Sequence, residues 1–342
     1  MPIRSALVAL LLLPLTAAAQ NKPKAAWVGE VALLRFDRDY DAVPLTGGGE
    51  FRPKFLNYVV QSEAADAVVI RDRGQDWRVG KDGLVRVADA EAFYAAAIRN
   101  NAQEVWAYYG RACARMELGD LDGALQDASV AVGFFPDSAT IRNGRGAKHM
   151  LKKNYAKALL DFNQAVSFDP TNDVALCNRG YLYFATKDYD KALLDFGAAA
   201  RLDPRYAEPI VYRGKVQEAR GKYLAAAAEY EAALRIDAKH PAALMAKARM
   251  RAACPDALER NGQEAVTAAK AACAATFGKD GYALVLLAMA HAESRNFPEA
   301  VKQLDRATTG DKAWAAANAD FLTYLREEFA AKRPYRFEAP KK

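Results

Sequence analysis

Two hydrophobic rhythms divide the chain. Between residues 27 and 87 apolar residues come in short runs, at 27–36, 55–60, 67–72, 76–79 and 83–87, rich in β-branched and aromatic side chains. Turn formers separate them: Gly47, Gly48 and Gly49 at one point, Arg73 with Gly74 at another. Runs of this length bounded by turn signals predict β-strands. A cluster of them in one short segment predicts a small all-β barrel.

From about residue 88 the rhythm becomes helical and repeats every 34 residues. Gly146, Gly180 and Gly214 keep that step, as do Tyr155, Tyr189 and Tyr223. So do Ala124, Ala158, Ala192 and Ala226, and Pro136, Pro170 and Pro204. Residues 155–162 read YAKALLDF and 189–196 read YDKALLDF, so sequence recurs as well as spacing. The glycine and alanine positions are small where two helix backbones approach. The large residue four places after each alanine, Phe162, Phe196 or Tyr230, fills the gap to the next unit, and the proline stops the second helix. These are packing roles, not chemistry.

Counted from those anchors, units begin near Val105, Ala139, Asp173 and Ala207. The period then stretches. A fifth first helix starts near Pro241, and a loop through Cys254, Pro255, Asp256, Asn261 and Gly262 delays its partner. A sixth unit runs from Gly281 to about Lys312, with Ala300 at the second-helix alanine position. Upstream, Ala90, Tyr94 and Ala97 fall on the second-helix positions of a half unit at 88–102.

Over about two thirds of the chain this pattern resembles the tetratricopeptide repeat, a pair of antiparallel helices. CPDALERNGQEAVTAAKAAC at 254–273 and FLTYLREEFAAKRPYR at 321–336 are similar to the C-terminal end of one bacterial class of such proteins. The resemblance implies a mainly α chain, a right-handed helical-hairpin solenoid with a concave groove for a peptide or protein segment. A helix over 313–332 would cap its open end, as repeat arrays require. The first-helix positions that face the groove in this family correspond here to Trp106, Tyr109, Asn143, Asn178, Tyr181, Phe184, Tyr212, Lys215 and Arg249. Asparagine amides suit a peptide backbone, aromatic rings bury side chains, and the basic pair favours an acidic partner; the competing reading of several of these residues is packing between first helices. A clamp for a terminal carboxylate needs asparagine in one unit and two basic residues in the next. Asn178 fits, but Glu208 and Tyr212 occupy the other places, so no C-terminal carboxylate ligand is expected.

The segment before the repeats, VVIRDRGQDWRVGKDGLVRV at 68–87, resembles the end of a bacterial SH3-like domain. Trp77 fits that pattern. Leu84 departs from it, replacing the aromatic residue that a ligand groove of that family uses. No Gly-, Ser- or Pro-rich linker follows Val87, so a stiff junction with the half unit is expected.

Composition changes the picture at three points. With 342 residues and 52% apolar content the chain can hold a β domain at 20–87 and a repeat array at 103–312, followed by the cap and tail at 313–342. Its 48 basic and 42 acidic residues, net +6, describe a mixed surface and not a nucleic-acid footprint. Arg4, the apolar run 6–15 and the small residues Ala17, Ala18 and Ala19 ahead of Gln20 have the layout of a secretory signal peptide over 1–19. That implies a periplasmic or secreted protein. The competing reading is an uncleaved anchor, although the run falls short of the roughly 20 residues that span a bilayer.

The candidate chemistry is sparse. Asp37, Asp39 and Asp41 alternate like the start of a calcium loop, but Ala42 and Gly48 stand where glycine and glutamate are needed. The run at 47–49 lacks the Lys and Ser or Thr of a phosphate loop. Of three histidines, His149 and His291 share the first-helix position held by Tyr183, which reads as core; His240 completes the set, and no pair has metal-ligand spacing. Cys113 and Cys177 lie two repeats apart, and Cys254 and Cys273 lie roughly 15 Å apart along the helix direction, so all four read as thiols. The expectation is a non-catalytic protein-binding scaffold without cofactor or metal. The alternative is a binder of cell-wall or other envelope polymer through the SH3-like domain, with structural repeats.

Overall fold

The computed structural model describes residues 31–34, 42–44, 57–64, 66–310 and 312–339. The expected leader at 1–19, the acidic triplet Asp37, Asp39 and Asp41, and the glycines at 47–49 lie outside the described residues. Residues up to Asp203 form one compact unit and residues from Pro204 another.

Among the described residues the first unit opens with six strands: β1 (Val31–Leu34), β2 (Ala42–Pro44), β3 (Asn57–Glu63), β4 (Ala67–Asp72), β5 (Gln75–Gly80) and β6 (Leu84–Arg86). They form one antiparallel sheet in the order β2-β5-β4-β3-β1-β6. Alternation decides which face is buried: Val68 pairs with Val79 and Ile70 with Trp77 across β4 and β5. These four join Ala32, Tyr58, Val60 and Leu84 in the core of the sheet. Leu84 is thus a core residue. Arg73 and Gly74 both take positive φ, 50° and 78°, which gives the two-residue turn that suits the twist of a hairpin. The short β2, with Pro44 at its end, has no counterpart among the expected strands because three residues show no period.

Helix α1 (Val87–Asn100) starts on the residue after β6, and with β1 and β6 it shares a core of Leu33, Val85, Ala90 and Tyr94. Three hairpins follow: α2 (Val105–Glu117) with α3 (Leu121–Phe134), α4 (Ala139–Leu151) with α5 (Tyr155–Phe168), and α6 (Asp173–Ala185) with α7 (Tyr189–Leu202). The turn of the β4–β5 hairpin is also fastened to this array. Arg73 reaches Asp173 at 3.2 Å and Asp203, and all three side chains are nearly inaccessible to solvent.

The second unit contains α8 (Glu208–Ala219) with α9 (Tyr223–Ile236), α10 (Pro241–Ala253) with α11 (Gly262–Ala275), and α12 (Gly281–Glu293) with α13 (Phe297–Gly310). The delayed partner in the middle hairpin is explained by a single 3-10 turn at Ala257–Glu259 inside the inserted loop. The capping segment is two helices instead of one, α14 (Lys312–Ala317) and α15 (Ala319–Ala330). Asn318 breaks it: its side-chain amide donates to the Trp314 carbonyl at 2.8 Å, as its own backbone amide also does. α15 packs on α13 and covers the last hairpin.

Two contacts recur inside the hairpins. A Cβ at Gly146 or Gly180 would lie 2.7 or 2.9 Å from the ring of Phe162 or Phe196, so only glycine admits the ring at that distance. On the preceding residue, Arg145 donates to Asp161 from Nε and Nη2 at 2.8 and 2.6 Å, and Arg179 does the same to Asp195 at 2.7 and 2.8 Å. Arg111 and Asp127 repeat the fork in the first hairpin, and Arg213 with Glu229 take the corresponding places in the second unit. The three aspartates are buried and the guanidinium groups only partly so, while Glu229 is half-buried. Hydrogen bonding to these carboxylates raises the pKa of Arg111, Arg145 and Arg179.

Removing one partner of a buried pair strands the other charge. Asp161→Ala should therefore lower unfolding free energy in urea by about 3 kcal/mol. Leu160→Ala, next to it but 59% exposed, should change it by less than about 0.5 kcal/mol.

Candidate functional site

The first helices carry the residues singled out from sequence, and each unit presents its own set. In the first unit, α4 and α6 are joined by their asparagines: Asn178 donates from Nδ2 to Oδ1 of Asn143 at 2.9 Å. Asn143 is buried and Asn178 half-buried. The bond uses one of the two amide hydrogens on Asn178 and leaves its carbonyl oxygen as an acceptor of the kind a peptide N–H needs. One turn on, the half-buried Tyr181 has its hydroxyl pKa pushed up to about 12 by burial and by Tyr155. Phe184, a further turn along α6, lies 6.0 Å from the ring of Tyr189. The structure thus brings together Asn143, Asn178, Tyr181 and Phe184 on adjoining first helices.

Tyr109 and Trp106 lie nearer the start of the array. The Tyr109 ring occupies the space that a Cβ on Gly144 would take, so it packs between α2 and α4. Burial, followed by the Cys113 thiol, raises its pKa. Beside it Lys148 is itself buried, with Nζ 3.3 Å from the Gly144 carbonyl, 3.8 Å from Cys113 Sγ and 5.7 Å from the Tyr109 ring. Trp106 meets Tyr94 edge to face at 6.0 Å and donates from its indole to Glu104. With Phe93, Ala97 and Asn101 it lines a cleft of about 380 Å³ between α1 and α2.

In the second unit, Tyr212 is only 2% exposed, and its ring serves as a platform for Lys215, whose Nζ lies 4.4 Å from the centroid. Burial lowers the Lys215 pKa; Glu208 pulls it up and Arg249 down again, and the net shift is downward. Glu208 is committed to His240, whose Nε2 lies 2.8 Å away while its Nδ1 accepts from the Ala243 amide and caps α10. Arg249 pairs with Glu218, whose other oxygen accepts from the Tyr230 hydroxyl at 2.9 Å. Its guanidinium also lies 4.6 Å from the ring of Phe337, near the end of the chain.

Glu218, Tyr230 and Phe337 were not read as site residues from sequence. One signal for the first two was available: at the position where earlier units have Phe162 and Phe196, the fourth has a tyrosine. Its hydroxyl reaches the carboxylate that holds Arg249. All four cysteines are free. Among the described residues no group of three His, Cys, Asp or Glu is placed to hold a metal, and no helix is long and apolar enough to cross a membrane.

Residues 109–173 and 174–206 each match a family model of the tetratricopeptide repeat. This stretch is built of tetratricopeptide repeats. Solved structures agree in fold. A tetratricopeptide repeat protein from Parabacteroides merdae is 17% identical with a TM-score of 0.52, over 71% of this chain and 92% of that one. PilF of Pseudomonas aeruginosa is 18% identical with a TM-score of 0.54, over 69% and 99%. A chain of the APC/C hetero-tetramer Cut9-Hcn1 is 16% identical with a TM-score of 0.56, over 72% of this chain and 48% of that one. No curated protein matches the chain.

The Lys215 ammonium lies over the Tyr212 ring, and burial lowers its pKa. If lysines are reductively methylated with isotopically labelled methyl groups and titrated by NMR, the Lys215 resonance, assigned by its loss in Lys215→Met, should move at lower pH than the main lysine envelope.

Proposed function

We propose that this chain is a non-catalytic scaffold, exported to the bacterial envelope or exterior, that holds an extended peptide or protein segment against the first helices of its repeats. Tetratricopeptide repeats mediate protein–protein interaction, and the side chains on α4 and α6 are of the kind such binding uses. The observation that carries the reading is the Asn143–Asn178 amide pair with Tyr181 and Phe184 beside it. Amides offer hydrogen bonds to a main chain at regular spacing, and half-buried aromatic rings supply most of the energy in interfaces of this type. The export half of the proposal rests on the N-terminal pattern of Arg4, the apolar run 6–15 and Ala17 to Ala19.

The alternative places binding of wall polymer on the SH3-like segment. Trp77 and Leu84 are both in the core of the sheet, which makes neither a surface for a sugar or peptide ring.

Selection of a random peptide library on the full chain tests the groove. The enriched peptides should lose at least tenfold in affinity, about 1.4 kcal/mol, for the Asn178→Ala and Tyr181→Ala double variant with its melting curve unchanged. Equal affinity for both proteins, or capture of cell-wall fragments alone, would move function away from α4 and α6. Export predicts that the chain recovered from the periplasm or medium of a bacterial host begins at Gln20.

A further inference from the structure

The last described residues lie on the second unit in the manner of a bound peptide. α15 ends at Ala330, Lys332 turns the chain with a φ of 57°, and among the described residues no helix or strand follows. The segment comes back to the C-terminal ends of α10 and α12. Arg336 donates from Nη2 to Glu293 at 2.6 Å and from Nη1 to the Ala252 carbonyl at 3.3 Å. The Phe337 amide donates to the Ala253 carbonyl at 3.1 Å. The Phe337 ring sits edge to face on Tyr223 at 6.0 Å, below the Arg249 guanidinium, and packs on the cluster that includes Tyr230, Met250 and Cys254. Tyr335 lies against Phe321 and Tyr324 of α15 at 5.6 and 6.2 Å.

Three features distinguish this from a structural segment. Residues 334–337 are all half-buried, whereas Ala252 and Ala253 beneath them are buried. The acceptors are the carbonyls that every helix leaves unpaired at its C-terminus, where a cation is also favoured. The acidic end of the site is held independently of the tail, since Arg260 lies 3.4 Å from the second oxygen of Glu293. A main-chain donor bond, a two-pronged arginine contact and one ring in an apolar pocket are the components of linear-peptide recognition.

We propose that the ends of α10 and α12 form a docking site for an extended protein segment in which an arginine precedes an aromatic residue, and that the tail is its resident, displaceable occupant. The site is built from residues of the second unit alone, and the proposal stands whether or not α4 and α6 bind a partner. A partner presenting such a segment takes the place of the tail, its aromatic ring seated beneath Arg249 where Phe337 now lies.

The test uses the full chain and a fluorescent peptide with the sequence of residues 333–338, beside a scrambled control. The Arg336→Ala and Phe337→Ala double variant, its tail loosened, should bind the peptide at least tenfold more tightly than the unaltered chain does. Adding Glu293→Gln should cancel that gain, and the scrambled peptide should bind neither. Equal or absent binding to the double variant and the unaltered chain overturns the proposal. So does a double variant that loses its cooperative thermal transition, because the tail would then be part of the core.

Discussion

Each hairpin of the middle repeats is closed by one distance, the approach of its two helices at a glycine. At Gly146, Gly180 and Gly214 the opposing ring, Phe162, Phe196 or Tyr230, occupies the place where a Cβ would be. The ring lies sixteen residues after its glycine, and each guanidinium on the residue before lies sixteen before its carboxylate. The same separation therefore sets both contacts. Apolar closure brings the arginine fork within reach of the acid, and the buried acid in turn fixes the rotation of one helix against the other, because a planar fork tolerates little misalignment. The first hairpin shows that the two are separable. It keeps Arg111 with Asp127 but has Ala112 and Ala128 in place of glycine and ring, trading one large and one absent side chain for two small ones.

Closure occupies one side of each of these first helices. Asn143 and Asn178 bond to each other across α4 and α6, while Phe184 packs on Tyr189 of the following helix. The fourth unit goes further and uses the ring position itself: Tyr230 keeps the packing of phenylalanine while its hydroxyl joins Glu218 and Arg249 in a buried polar network. That arrangement satisfies the acid from two sides, which an isolated carboxylate at this depth would require.

The repeat boundaries were legible because packing has a period: the helix starts expected at Val105, Ala139 and Asp173 are those observed, and that near Ala207 is displaced by one residue. The strands at 67–72 and 76–79 were legible because turn residues frame them. What escaped is what has no local signal. The break at Asn318 rests on a single residue with a φ of −119°, and no glycine or proline marks it. The ion pair between Arg73 and Asp173 joins positions one hundred residues apart, and neither residue is unusual in its own neighbourhood. The arginine–acid spacing was present in the sequence, but charged residues on helices are ordinarily solvated, and only burial of the acids gives the spacing meaning. Asn143, Asn178, Tyr212 and Arg249 could be placed on the first helices from sequence; which hydrogen bonds they spend inside the protein could not.

The irregular segments of the chain obey a common rule. Second helices α5, α7 and α9 each end on an aspartate, Asp169, Asp203 and Asp237, where a negative charge opposes the helix dipole and needs compensation. Asp169 and Asp237 accept from backbone amides two residues on, closing local turns. Asp203 faces Arg73 from the β hairpin. In the other unit, the unpaired carbonyls at the end of α10 are met by Arg336 and by the Phe337 amide. In both places an arginine outside the repeats neutralises the negative end of a helix within them. A repeat array generates such ends at every period, so they are its most frequent attachment points, and attachment there consumes none of the first-helix face. The β segment and the tail thereby fasten to their respective units through helix ends, by bonds in which Asn143, Asn178, Tyr181 and Phe184 take no part.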